Sequence, residues 1–105
     1  MAPMEKLSTF ICLIHPTRPG FVEEMLPEEV EAMQAHSAYL DRIMKGTTFH
    51  LIGPCLDRAF GVSIFEAESL EAACELVAHD PAVERGVMSA EVHPFRISFW
   101  RQSEI

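Results

Sequence analysis

The stretch Leu7–His15, LSTFICLIH, decides the fold. It is rich in β-branched and aromatic residues, which favours a strand. Side chains of opposite parity point to opposite faces of a strand. One face receives Phe10, Cys12 and Ile14, and the other receives Thr9, Ile11 and Leu13. Because a strand that is apolar on both faces has to be covered on both, we expect helices of this chain on one face and the sheet of a second copy on the other.

A helix is predicted downstream of this strand, from Pro27 to Lys45. Pro27 suits the first turn of a helix, two glutamates follow it at the positive end of the helix dipole, and Gly46 suits the position after the last turn. The residues that repeat at helical spacing are Val30, Met33, Ser37, Leu40 and Met44. His36 lies on this stripe or at its edge, so we expect it to be partly enclosed.

The rest of the chain supplies three more strands and a second helix. The predicted segments are a strand Thr47–Ile52, a strand Phe60–Phe65, a helix after the N-cap Ser69, a short turn started by Asp80-Pro81 and ended by Gly86, and a strand from about Met88 to Trp100. The order β-α-β-β-α-β is that of the ferredoxin-like α+β fold, a four-stranded antiparallel sheet with two helices on one face. We expect residues 1–105 to form one such domain with a frayed end at residues 1–6, and to dimerise through the open sheet face.

The composition argues against several classes of partner. Sixteen acidic residues face eight basic ones, a net charge of −8, whereas nucleic acids and anionic membranes need a cationic surface. The three cysteines form no C-x-x-C pair, no two histidines have metal-binding spacing on a helix, and no glycine-rich nucleotide loop is present. With no apolar secretion signal at the N-terminus, we expect a cytoplasmic protein that needs no metal and no cofactor and acts on a small molecule.

Five residues form the predicted site. Imidazoles exchange protons near neutral pH, so His36 is a candidate acid and base; otherwise it is a core histidine satisfied by one hydrogen bond. Asp80 either orients that histidine or only caps the turn that Pro81 begins. Arg18 is a candidate for gripping a substrate oxygen, or else a solvated loop residue. Ser63 is a hydroxyl in an apolar strand that contacts substrate or only its neighbours, and Pro81 is included as a substrate contact beside Asp80.

Five segments of the chain form a familiar ordered set: AHSAYL, LIGPCLD, FGVSIFEAES, HDPAVERGVM and EVHPF. On these segments the chain resembles the YCII-related (YciI-like) family from about Phe10 to Phe99. The resemblance implies a dimeric α+β barrel, akin to the muconolactone isomerase architecture, and a catalytic His-Asp dyad whose positions match His36 and Asp80. Many relatives carry an arginine three residues before the histidine, where this chain has Met33, which leaves Arg18 as a candidate for that contact.

Two functions follow as hypotheses. The first is a cofactor-independent lyase or isomerase that uses the dyad for acid–base chemistry on a small hydroxylated aromatic or cyclic substrate. The resemblance includes one such activity, dehydrochlorination of a chlorinated hydroxyhydroquinone. The second is a non-catalytic dimeric module that binds a small ligand or accompanies another enzyme, in which case the two residues are only a structural pair.

Overall fold

The computed structural model describes residues 7–101. Its elements are β1 (Ser8–Pro16), α1 (Pro27–Ile43), β2 (Phe49–Pro54), β3 (Gly61–Ala67), α2 (Leu70–Ala78), α3 (Pro81–Glu84) and β4 (Met88–Pro94). The strands form one antiparallel sheet in the order β2-β3-β1-β4, which confirms the predicted ferredoxin-like α+β fold. The frayed end predicted at residues 1–6 lies outside the described residues, so the domain prediction over 1–105 extends beyond them at both ends.

The first strand has the central role that its two apolar faces predict. It pairs with β3 on one side and with β4 on the other. Phe10 and Cys12 are buried against Phe65 of β3 and Ala73 of α2 in one core cluster. On the opposite face, the Ile11 side chain is only half-buried. The helices therefore cover one face of the sheet and leave the other to solvent in the single chain.

A second core cluster joins α1 to the far end of the chain. Ala32 of α1 packs there with Ala82 of α3, together with Phe21, Val87 and Met88. Both alanines are fully buried, which allows the two helices to approach closely. This contact holds α1 at α3, so the helix stands over the sheet at β2 and β3 with a space beneath it.

The helix boundaries follow local chemistry that the sequence makes visible. Ser69 caps α2 by accepting a hydrogen bond from the Ala72 amide at 3.0 Å. Asp80 caps α3 in the same way, and Gly86 takes the left-handed conformation after it at φ +76°. These three predictions are confirmed.

Two predicted details are wrong. The last strand ends at Pro94 rather than near Trp100, because proline has no amide to donate and no regular structure follows it up to Arg101. Helix α1 ends at Ile43 rather than Lys45.

The buried stripe of α1 also differs in phase from the predicted one. The buried residues of the helix are Glu29, Ala32 and Tyr39, whereas Val30 and Met44 of the predicted stripe are exposed. The apolar pattern predicts the wrong stripe because the inward face of α1 carries polar side chains that are paired with other groups. Within residues 7–101, no helix has both the length and the hydropathy to cross a bilayer.

Candidate active site

A cavity of about 610 Å³ lies between α1 and the helix-covered face of the sheet. Its wall is mostly aliphatic and aromatic. The polar or ionisable side chains on the wall are those of Cys12, His36, Tyr39, Cys55, Arg58, Ser63 and Asp80. A site with an apolar body and a few polar groups is typical of small-molecule pockets.

The shortest polar contact on this wall joins His36 and Asp80. Nδ1 of His36 lies 2.6 Å from Oδ2 of Asp80. The two side chains are 13% and 7% exposed, so water screens the pair weakly. An ionised carboxylate can only accept, so Nδ1 donates its proton to Asp80 and Nε2 carries the lone pair. Nε2 has no hydrogen-bond partner among the described residues, which leaves it available to a bound molecule.

Local structure fixes the Asp80 carboxylate before any ligand binds. Its second oxygen, Oδ1, accepts the Ala82 amide at 2.9 Å as the N-cap of α3. Pro81 at the first helical position has no amide to compete for that oxygen. One carboxylate therefore caps a helix and orients the histidine at the same time.

Tyr39 lies one turn after His36 on α1 and lines the same cavity. Its hydroxyl donates to the Leu76 carbonyl oxygen at 2.5 Å, which ties α1 to the end of α2. Burial, with the nearby Asp80 charge, raises the pKa of Tyr39 above its ordinary value. The phenol therefore stays protonated at neutral pH and serves as a fixed donor to the backbone.

Ser63 and Cys12 face each other across β3 and β1 on the cavity floor. They are register partners in the two strands. Burial raises the pKa of the Cys12 thiol to about 11, so the sulfur stays protonated and is a poor nucleophile at neutral pH. Ser63 is thus a neutral hydroxyl within the cavity, where it can meet a ligand oxygen.

Arg18 is engaged elsewhere. Its Nε and Nη2 donate to the two carboxylate oxygens of Glu29 at 2.7 and 2.8 Å, and Nη2 also donates to the Glu24 carbonyl at 2.6 Å. Glu29 in turn accepts the Leu26 amide at 2.8 Å. The guanidinium and this amide lower the pKa of the Glu29 carboxyl, and its charge raises the pKa of Arg18. The pair fastens the loop that carries Phe21 and Met25 of the cavity wall.

The structure brings together three of the five residues predicted for the site. His36, Asp80 and Ser63 line one cavity, whereas Arg18 and Pro81 are not among its lining residues. Sequence reasoning missed the buried partner of Arg18, Glu29, because an acidic residue in a first turn is explained by the helix dipole alone. It also gave no role to Tyr39, although the spacing His-x-x-Tyr places both residues on one helix face.

Within residues 7–101, no group of three or more His, Cys, Asp and Glu side chains is arranged to hold a metal ion. The other histidines pair with carboxylates or backbone. His15 and His93 both contact Glu91 through Nε2, at 3.3 and 3.1 Å, and His50 contacts Glu66 at 2.9 Å. None of these lines the cavity.

Comparison with known proteins agrees with this architecture. The model of the YCII-related domain matches residues 9–96. A similar solved structure is the 5-chloro-2-hydroxyhydroquinone dehydrochlorinase TftG from Burkholderia phenoliruptrix AC1100, in complex with 2,5-dihydroxybenzoquinone. The two chains are 23% identical, the match covers 83% of this chain and 93% of that one, and the TM-score is 0.63. At this identity the likeness shows the fold. No curated protein sequence matches the chain.

Proposed function

This chain belongs to the YCII-related family, and on that premise we propose that it is an acid–base enzyme of the lyase or isomerase type. Its substrate is a small hydroxylated aromatic or cyclic compound. The observation that carries the proposal is the 2.6 Å contact between His36 and Asp80 on the wall of an apolar cavity. The similarity to a dehydrochlorinase supports the same class of reaction.

The dyad divides the work between its two members. Asp80 holds the imidazole in the tautomer with the proton on Nδ1, so that Nε2 accepts a proton from a substrate hydroxyl. The imidazolium that forms is stabilised by the adjacent carboxylate. This stabilisation is stronger in the cavity than in water, because the side chains around it are largely apolar.

The simplest reaction is a proton shuttle. His36 takes the proton from a ring hydroxyl, the O–H electron pair forms a carbonyl, and the ring carbon gains the proton from His36. The product is the keto tautomer, an isomerisation without net loss or gain. Where that carbon carries a halide, loss of a second hydroxyl proton to His36 drives its electron pair through the ring and expels the halide. The net loss is then one molecule of hydrogen halide.

The other residues of the site hold the substrate or its walls. Ser63 offers a hydroxyl to a substrate oxygen from the cavity floor, and Tyr39 keeps α1 at its distance from α2. Arg18 acts on the loop rather than on the substrate, because both oxygens of Glu29 occupy its guanidinium. In each step of this chemistry, the residues of the chain transfer a proton or orient the substrate.

The proposal is tested by a panel of chlorinated and unchlorinated hydroxylated rings, with chloride release and quinone absorbance as readouts. The wild type should consume at least one member. His36→Gln should lower kcat/KM by about 10²- to 10⁴-fold, the range for a general base, and Asp80→Asn by at least about tenfold. His79→Gln is the control, because His79 is exposed and bonds only its own helix.

Two results overturn this function. Full turnover by both His36→Gln and Asp80→Asn would show that the dyad is only structural. A wild type that binds hydroxylated rings but converts none of them would instead support the alternative, a non-catalytic ligand-binding or accessory module.

We also propose that two copies pair through the open sheet face. Ile11 lies opposite Ile64, and Leu13 lies opposite Val62, so these four aliphatic residues share the sheet face away from the helices. Ile64 is buried in the single chain, and the other three are half-buried. Light scattering after gel filtration should give twice the chain mass of 11.8 kDa. Leu13→Lys should give the monomer with an unchanged circular dichroism spectrum, and a monomeric wild type would contradict the pairing.

A further inference from the structure

We propose that Arg58, in the turn between β2 and β3, binds an anionic oxygen group of the substrate. The substrate class narrows accordingly to hydroxylated rings that also carry a carboxylate or an ionised, acidic ring hydroxyl. This inference rests on the proposed function for the position of the ring, and it adds the group that orients the ring in the cavity.

The first support is charge. Of the described residues that line the cavity, Arg58 is the only cation, and Asp80 is the only carboxylate. The Arg58 side chain is exposed and has no hydrogen bond and no ion pair within residues 7–101, in a chain with twice as many acidic as basic residues. Arg18, by contrast, is held by a bidentate carboxylate. A guanidinium without a protein partner at a cavity wall keeps its planar set of donors for an oxyanion.

The second support is the backbone. Arg58 has φ +67°, and it is the only residue other than glycine with positive φ in the described chain. That region is unfavourable for a long side chain, whereas glycine or asparagine enters it easily. The turn is held by backbone groups and Asp57 rather than by the guanidinium. The Cys55 amide donates to the Phe60 carbonyl at 2.9 Å, the Arg58 amide donates to the Cys55 carbonyl at 2.9 Å, and the Ala59 amide donates to Asp57 at 3.0 Å. Nothing in the turn requires arginine, and a ligand bound by its side chain would give a reason for this residue at a positive φ.

The third support is position. His36 stands on the helix wall of the cavity, and Arg58 stands on the hairpin that continues the sheet wall. The lining between the two elements includes apolar side chains such as Leu40, Phe49 and Ile52. We place a flat ring against this apolar part, with one hydroxyl at His36 and an anionic oxygen at Arg58. A neutral hydroxylated ring would leave the guanidinium without a partner.

The experiment compares three ligands by isothermal titration calorimetry at neutral pH. Hydroquinone is neutral, 2,5-dihydroxybenzoate adds a carboxylate, and 2,5-dihydroxybenzoquinone carries hydroxyls that ionise as vinylogous acids. The wild type should bind at least one of the two anions about tenfold more tightly than hydroquinone, the usual gain from one charge-assisted hydrogen bond. Which anion is preferred identifies the source of the oxyanion.

The variants separate Arg58 from general charge. Arg58→Asn removes the cation with a residue that tolerates positive φ, and it should abolish the preference while hydroquinone affinity stays within about twofold. Arg58→Lys should restore part of the preference, because lysine is a point charge without the planar fork. Arg96→Asn is the matched control: Arg96 is exposed, does not line the cavity and has no side-chain partner among the described residues, so its loss should leave the preference intact.

Each result decides the question. Equal binding of all three ligands to the wild type, or a preference that survives Arg58→Asn, overturns the role of Arg58 and leaves the acid–base function standing on its own turnover test. Binding of none of the three rings overturns this inference together with the substrate class proposed above.

Discussion

Nδ1 of His36 and Oδ2 of Asp80 lie 2.6 Å apart, while Oδ1 of the same carboxylate caps α3. The N-cap bond holds the carboxylate in place independently of any ligand, so the histidine is oriented before substrate binds. Preorganisation of this kind removes a rearrangement from the reaction step.

Because Asp80 both caps α3 and contacts His36, its asparagine and alanine variants should differ in stability. Asp80→Asn keeps an oxygen for the Ala82 amide, so the helix cap should survive. Asp80→Ala loses the cap, worth about 1 kcal/mol, and leaves His36 without its partner, a cost of a further 1–3 kcal/mol or so. Urea unfolding at pH 7 should therefore show a much larger loss for the alanine variant. Equal destabilisation by both substitutions would mean that charge, rather than the cap, dominates.

The pair of Arg18 and Glu29 predicts a loss of stability in acid. The pKa of the Glu29 carboxyl is lowered from 4.5 in the folded chain, chiefly by Arg18. The ionised carboxylate therefore stabilises the fold fully above pH 4.5, and this contribution disappears as the pH falls through the lowered pKa. Melting temperatures measured from pH 6 downwards should fall less steeply for Glu29→Gln than for the wild type. The same slope in both proteins would show that this pair does not contribute.

The cavity floor predicts an order of thiol reactivity. Cys12 is buried with its pKa raised to about 11, whereas Cys74 on α2 is exposed. Because only the thiolate is nucleophilic, iodoacetamide at pH 8 should modify Cys74 in the native protein much faster than Cys12. Peptide mass spectrometry over time measures both rates. Equal labelling of the two cysteines under native conditions would contradict the burial of Cys12.

The sequence predicts most of the fold because the deciding signals are local. The two apolar faces of β1, the cap at Ser69 and the Asp-Pro step at Asp80 each act within a few residues. The dyad is predictable only in part: spacing places His36 on the inward face of α1, but the contact with Asp80 joins residues 44 apart in the chain. The residues alone leave Asp80 either as the partner of His36 or as a simple helix cap, and the resemblance to the family favours the pair.

Two features of the structure, the burial of Glu29 and the conformation of Arg58, cannot be predicted from the hydrophobic pattern of the sequence. On α1, Glu29 is buried and its neighbour Val30 is exposed, because Arg18 from the preceding loop pairs with Glu29. Hydrophobic spacing carries no information about such a partner. Arg58 looks like an ordinary turn residue in the sequence. Its positive φ and its place on the cavity wall are properties of the folded hairpin.

In the proposed reaction, His36 moves protons at a ring carbon. This step can be followed as hydrogen–deuterium exchange of the ring protons of 1,2,4-trihydroxybenzene in anaerobic D₂O, measured by proton NMR. The wild type should accelerate the exchange over buffer, His36→Gln should reduce the acceleration by about 10²-fold or more, and His79→Gln should retain it. Exchange that is as fast with His36→Gln as with the wild type, or a wild type no faster than buffer, would show that His36 does not have this role.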